Sequence, residues 1–342
     1  MPRYAGVGRF VVKRALFTAA VLFGVALVTF IIFRVAIPDP ARVWAGPRAS
    51  QQTLDALTVR YHLSGPVYLQ FYYYLLGLLQ GDWGVSPISG QPIFQSIVQY
   101  FPATLELTTA ALILTLILGV PLGVIAATHR NKPADHTARV ISLTGVASPP
   151  FLLALVLQFA FVFYLRMVPD SGGRISIFVK PPSQITGFLT IDSLLAGNWP
   201  AFLSALQHLV LPAFALAFLT LGLMSRLVRA SMLEALVSDY VRTAKAKGLR
   251  RAVVVYKHAL RNALAQPVTA LAISVAYLLG GSVVVENIFS WPGIGRYAAQ
   301  AALNFDFPAI MGTTIVFAVC VVVMNLVADI LLCVIDPRIR LR

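Results

Sequence analysis

Six stretches of the chain are apolar and free of Asp, Glu, Lys and Arg: 15–33, 107–128, 140–165, 203–225, 262–285 and 307–328. A helix needs about 20 apolar residues to cross the hydrocarbon core of a bilayer. Backbone groups cannot stay unpaired in lipid, so runs of this length and polarity predict spanning helices. Pro121, Pro149, Pro150 and Pro212 fall inside the runs and predict local kinks. The layout that follows has an N-terminal segment 1–14 and a first span 15–36. An outside loop 37–102 leads to a core 103–342. The core holds spans 103–128, 140–165, 205–227, 265–289 and 308–335, with a long polar loop 228–262 and a tail 336–342.

Between the spans the pattern changes character. Residues 50–62 start with Ser50 at an N-cap position and place Leu54, Leu57 and Tyr61 on one helical face. The following VYLQFYYYLLGLLQ is aromatic and too short to span comfortably, which predicts an interfacial or re-entrant helix. Segment 166–200 is rich in Gly, Pro and Ser and reads as an irregular loop.

The longest polar loop, 226–261, carries a helical period. Met232, Leu233, Leu236, Val237, Tyr240, Val241 and Ala244 recur at three- and four-residue spacing. Lys245 and Lys247 sit where a helix C-terminus favours cations. Gly248 follows where helices often stop, since glycine takes the left-handed conformation without a Cβ clash. A second helical stretch, about 250–263, runs into the fifth span. The object predicted is a helix–glycine–helix elbow whose first helix ends in small residues, Thr243, Ala244 and Ala246. The plainer alternative is a solvated basic loop or an anchor for anionic lipid.

Composition agrees with lipid as the solvent: 58% of residues are hydrophobic and 12% charged, against about 25% charged in soluble domains. The net charge of +14 invites a nucleic-acid reading, but the charges lie in short loops between apolar runs and form no stripe. They set orientation instead. With the N-terminus inside, the inner segments hold 19 Lys and Arg and the outer ones 8. The positive-inside rule then puts both termini in the cytoplasm. The first apolar run lacks the short core and small-residue cleavage site of a signal peptide and reads as a retained span. Cys320 and Cys333 read as small core residues, not as a disulfide or metal pair.

The elbow motif DYVRTAKAKGL resembles the EAA loop of permease subunits of ATP-binding-cassette (ABC) importers. Arg242, Thr243 and Ala244 before Gly248 are typical of the dipeptide and oligopeptide branch. Arg226, Arg229, Ser231 and Glu234 upstream fit the branch. So do His258, Arg261 and Asn262 downstream, and the segment with Glu286, Trp291, Pro292, Gly293 and Gly295. GDWGVSPISGQP (81–92) and the closing DPRIR (336–340) fit as well, so the resemblance covers nearly the whole chain. It departs from the general signature at His258-Ala259-Leu260-Arg261, where Ile-x-Leu-Pro is usual, and at Pro267, one residue late.

That resemblance implies an all-α membrane protein with the type I ABC importer permease fold, one N-terminal helix plus a five-helix core. It implies a bacterial inner-membrane location and a role in importing short peptides. No phosphate-binding loop of the G-x-x-x-x-G-K-[ST] type is present. ATP and Mg²⁺ are therefore expected on one or two cytoplasmic ATPase subunits, and no cofactor or metal on this chain. The expected ATPase-coupling contact is Asp239, Tyr240, Val241, Arg242, Thr243, Ala244, Lys245, Ala246, Lys247, Gly248 and Leu249, with Tyr240, Val241 and Ala244 as its apolar face. Other expected partners are a homologous second permease, giving a heterodimer, an external solute-binding protein docking on 34–106, and membrane lipid. Nucleic acid is not among them.

Ionisable residues near span ends are Glu106, Glu286 and Asp329. An intramembrane carboxylate is a functional candidate by default, and Glu286 is the one singled out for a gate or pathway role, weighed against structural pairing. His208 is alone in the fourth span, where a structural role is the plainer reading. The competing function is an ion-coupled secondary transporter, which favours mid-depth charges and an internal inverted repeat. An intramembrane enzyme lacks its motifs, with neither His-Glu-x-x-His nor Gly-x-Ser-x-Gly in the chain.

Overall fold

A computed structural model describes residues 3–335 apart from 38, 46–48 and 169–171. The closing motif 336–340 and the side chains of Asp329 and Cys333 lie outside the described residues. In chain order the helices are α1 (Arg3–Ala36), α2 (Pro40–Ala45), α3 (Gln51–Arg60) and α4 (Val67–Gln80). The long α5 (Ile93–Thr128) includes a π-wound turn, Thr115–Gly119. Then come α6 (Pro133–Ala147), α7 (Pro150–Tyr164), α8 (Leu189–Leu195), α9 (Trp199–Leu236) and α10 (Asp239–Ala246). The π-wound α11 (Val253–Leu260), α12 (Ala265–Ile288), α13 (Ile294–Leu303) and α14 (Phe307–Ile335) complete the chain. An isolated bridge joins Val85 and Pro92.

Five helices carry stretches long and apolar enough to span: Leu16–Arg34, Ile93–Thr128, Trp199–Leu236, Ala265–Ile288 and Phe307–Val327. The third expected span, 140–165, is not one straight helix. α6 and α7 meet at 109° around Ser148 and Pro149. Pro149 and Pro150 each remove a backbone donor, and a residue before proline is pushed out of the helical region. Ser148 accordingly sits extended at φ −81°, ψ 124° and Pro149 at φ −60°, ψ 132°. The pair counts as a sixth span only when taken together.

The chain divides into two compact units. One comprises Met1–Pro102 and Gly293–Val322. In it the aromatic face of α4 lies on α1, with Phe71 against Phe23 and Phe30 at 5.7 and 5.2 Å between ring centroids. Phe33 packs edge-on to Phe307 at 4.2 Å, and α3 is capped by Ser50 Oγ accepting from Thr53 N at 3.2 Å.

The other unit comprises Ala103–Pro292 and Val323–Arg342. Its spine is α9, which packs against α5, α6, α7, α8 and α12. Small residues let these backbones approach, as helix pairs in lipid require. A Cβ built on Gly145 would stand 2.6 Å from Phe218 O, and one on Gly222 would stand 2.6 Å from Ser142 O. The span expected over 205–227 lies in a helix that continues to Leu236. Ser238 is extended before α10 begins at Asp239, so Met232, Leu233 and Leu236, expected in the elbow's first helix, belong to α9. Val228, Met232 and Ala235 keep it packed in the core beyond the apolar run.

Candidate functional site

Past Leu236 the chain turns sharply and builds the elbow. Ser238 takes the extended conformation that precedes a helix, and α10 runs from Asp239 to Ala246. Gly248 has φ +72°; Gly248 N donates to Lys245 O at 3.0 Å and Lys247 N to Thr243 O at 3.1 Å. These bonds satisfy carbonyls that the helix end leaves open. Thr243 Oγ1 donates to Asp239 O at 2.9 Å. The Arg242–Asp239 pair at 3.4 Å is highly exposed and adds little stability.

The elbow has two apolar sides with different roles. Val241 is fully buried and Ala244 nearly so, packed with Met232, Val254, Val255 and Ala259 of the same chain. The expectation that Val241 and Ala244 form an outward apolar face is therefore corrected. They fix the elbow to its own unit because helical spacing turns them toward α9 and α11. What faces outward is Tyr240, with Val237 and Leu249, all exposed apolar side chains. Arg242, Thr243, Lys245, Ala246, Lys247 and Gly248 are exposed around them, as is Asp239.

A second cluster lies where α5 meets the end of α12. Glu286 is fully buried and accepts from Thr104 Oγ1 at 2.6 Å. Trp291, also buried, donates from Nε1 to Ala103 O at 2.9 Å. The Arg174 guanidinium stands 5.7 Å from the Trp291 ring centroid. It bonds Glu106 Oε2 at 2.5 Å and Gly187 O at 2.8 Å. Glu106 Oε1 accepts from Thr190 N at 2.8 Å and Thr190 Oγ1 at 2.6 Å. This network ties the loop before α8 to α5. Nearby, Asp192 accepts from Ile185 N, Thr186 N, Thr186 Oγ1 and Gly187 N at 2.7–3.2 Å. Burial alone raises its pKa, and the hydrogen bonds from Thr186, Ile185 and Gly187 together bring it below the ordinary value. His208 Nδ1 donates to Ser204 O at 2.7 Å, one turn back on its own helix.

Sequence reasoning missed Asp135. This fully buried carboxylate is gripped from two helices. Arg229 of α9 bonds both its oxygens at 2.7 and 3.0 Å, and Arg139 of α6 at 3.1 and 2.5 Å. The Arg229 hydrogen bonds, then those of Arg139, hold its carboxyl well below the usual carboxylate range. The available signal was Asp135 and Arg139 at i, i+4; the partner 94 residues away gave none.

The family model described as "Binding-protein-dependent transport system inner membrane component" matches residues 119–341, and the one for the N-terminal part of such components matches 7–108. The chain belongs to this family. Its relatives extend over nearly all of this permease. The probable D,D-dipeptide transport system permease protein DdpB of Escherichia coli K12 is 43% identical over 93% of this chain and 94% of its own. The dipeptide transport system permease protein DppB of the same strain is 37% identical over 97% and 98%. The oligopeptide transport system permease protein AppB of Bacillus subtilis 168 is 35% identical over 97% and 99%. A chain of the inward-facing MetNI methionine ABC transporter superposes with a TM-score of 0.52 at 17% identity, over 71% of this chain and 97% of that one. A likeness of that degree speaks to fold alone. The permease is a multi-pass, helical membrane protein with the type I ABC importer architecture.

Proposed function

We propose that the permease forms half of the translocation pathway of an ATP-driven importer of short peptides, beside a second, homologous permease. The carrying observation is a set of peptide-transport relatives aligned end to end, together with an elbow that holds an exposed apolar stripe on a rigid mount. Both termini lie in the cytoplasm by the charge asymmetry of the loops, so the elbow faces the ATPase compartment. ATP and Mg²⁺ bind one or two separate ATPase subunits, and this chain performs no chemistry. A solute-binding protein delivers peptide from the other side, onto the loop 34–106.

Residues 239–249 are the coupling contact. Tyr240 inserts into a groove of the ATPase, with Val237 and Leu249 beside it. Arg242, Lys245 and Lys247 meet acidic rim groups, which steer association more than they strengthen it. Val241 and Ala244 transmit the force, because they fasten α10 to α9 and α11. When the ATPase pair closes, the elbow moves as a rigid body and reorients the helices attached to it. Glu286 serves the pathway in the state where α5 and α12 part.

Uptake of a radiolabelled dipeptide into vesicles tests this. The complete complex, with binding protein outside and ATP inside, accumulates peptide, and a proton or sodium gradient without ATP does not drive it. Ion-driven accumulation by this chain alone would overturn the proposal in favour of a secondary transporter. In the same assay Glu286→Gln lowers uptake while complex yield holds; unchanged uptake reduces Glu286 to structural pairing.

A further inference from the structure

Between α5, α6 and α9, inside the unit whose spine is α9, there is a cleft of about 220 Å³. Sites for drug-sized ligands run to about 300–1,000 Å³, so this one suits a smaller group. No role assigned above uses it. Three of its lining residues are arginines: Arg139 on α6, and Arg226 and Arg229 at i, i+3 on α9. Among the described residues no carboxylate lines it.

The charges here do not balance. Asp135 holds both Arg139 and Arg229, in each case through Nε and Nη2. Nη1 of each guanidinium has no acceptor among the described residues, and Arg226 forms no hydrogen bond or ion pair with them. Three guanidinium groups stand against one carboxylate, which leaves two positive charges on one small cleft. Like charges held this close repel, and more strongly where water is displaced. An anion from outside the chain relieves that repulsion.

The level of the cleft identifies the anion. Arg139 comes immediately before the charge-free run 140–165, and Arg226 immediately after the run 203–225. Both therefore mark the edge of the hydrocarbon, where the lipid headgroups begin. Val140 and Leu143, next to Arg139 on α6, are exposed apolar side chains, and Leu143 lines the cleft itself. Guanidinium forks match phosphate oxygens in shape and charge. Basic clefts between spanning helices on the cytoplasmic side suit anionic headgroups.

We propose that this cleft binds a phosphate group carried by an anionic glycerophospholipid, with Arg226 and the Nη1 groups of Arg139 and Arg229 donating to its oxygens. In the orientation proposed above the lipid belongs to the cytoplasmic leaflet. It ties α6 to α9 beside the Asp135 clasp, on the helix that leads into the elbow.

The complete importer complex, stripped of lipid in detergent, is titrated with dioleoylphosphatidylglycerol, and survival after heating is read by size exclusion. The unaltered complex gains thermal stability saturably. Dioleoylglycerol, with the same acyl chains and no phosphate, gives no gain; this arm decides the matter even if a variant fails to assemble. Arg226→Gln breaks no hydrogen bond among the described residues, so its lipid-free midpoint is unchanged or higher. Its half-maximal lipid concentration rises about tenfold, as one lost charge-assisted hydrogen bond dictates. Arg226→Lys keeps the charge without the fork and recovers part of the response. Arg250→Gln, which removes an exposed basic residue elsewhere in the loop 226–261, responds as the parent does. Inorganic phosphate without lipid tests the source: protection of the parent and not of Arg226→Gln upholds the phosphate site and overturns lipid as its carrier. Equal lipid response of Arg226→Gln and parent, or equal gain from dioleoylglycerol, overturns the proposal. So does loss of the second permease from Arg226→Gln at unchanged lipid response, which gives the cleft to a carboxylate of that subunit.

Discussion

A Cβ built on Gly248 meets no atom within 4 Å, and the residue has φ +72°. The entire penalty of a side chain there is in the backbone. Left-handed backbone costs an ordinary residue roughly 1–2 kcal/mol, more for a β-branched one and less for asparagine. Gly248→Val therefore shifts the elbow and uncouples ATP hydrolysis from uptake, Gly248→Ala does so partly, and Gly248→Asn stays near the parent. Membrane insertion is unchanged in all three. The ratio of peptide imported to ATP hydrolysed checks the order; full coupling in Gly248→Val removes the lever. At Asp135 the sign of the pH dependence follows from a lowered carboxyl. Its stabilisation is present above the unfolded value of about 3.9 and is lost only as pH falls below that toward the folded value. Asp135→Asn lowers the thermal midpoint by the same amount at pH 7 and pH 5, and the gap to the parent narrows below pH 4. A gap that already closes between pH 7 and pH 5 contradicts the ion-pair account.

Among the helices, what could be read in advance depended on whether the signal was local. The apolar runs announced the spans because hydropathy is a property of one segment. The proline pair announced a kink in 140–165, but its angle of 109° is set by what α6 and α7 pack against. Gly145 and Gly222 carried no signal, since glycine marks a close approach only once the facing backbone is known. The two sides of α10 were ambiguous for a related reason. Tyr240 offers one apolar side, Val241 and Ala244 another, and nothing local says which is covered. The covered pair now supports an asymmetric expectation. Ala244→Leu overfills the site beneath α10, costs about 1–3 kcal/mol and lowers the thermal midpoint of the chain. Gly145→Val, with its Cβ 2.6 Å from Phe218 O, forces α6 from α9 at a similar cost. Parental midpoints in both would mean these contacts are loose.

For the whole molecule the decisive question is whether stability and assembly separate at the elbow. Tyr240 is 42% exposed and Val241 is fully buried, though they are neighbours in sequence. Tyr240→Asp leaves a charge in water when the chain is alone, so its own midpoint stays within about 0.5 kcal/mol of the parent, as surface substitutions do. At the coupling contact proposed above, the same carboxylate stands where an aromatic anchor, the kind of residue that dominates interfaces, would meet the ATPase. Co-purification of the ATPase falls at least tenfold while membrane abundance of the permease does not change. Val241→Asp behaves oppositely, unfolding the elbow from within and lowering abundance before any partner binds. Equal ATPase recovery with Tyr240→Asp and the parent, at equal abundance, means the exposed stripe is not where force enters the membrane.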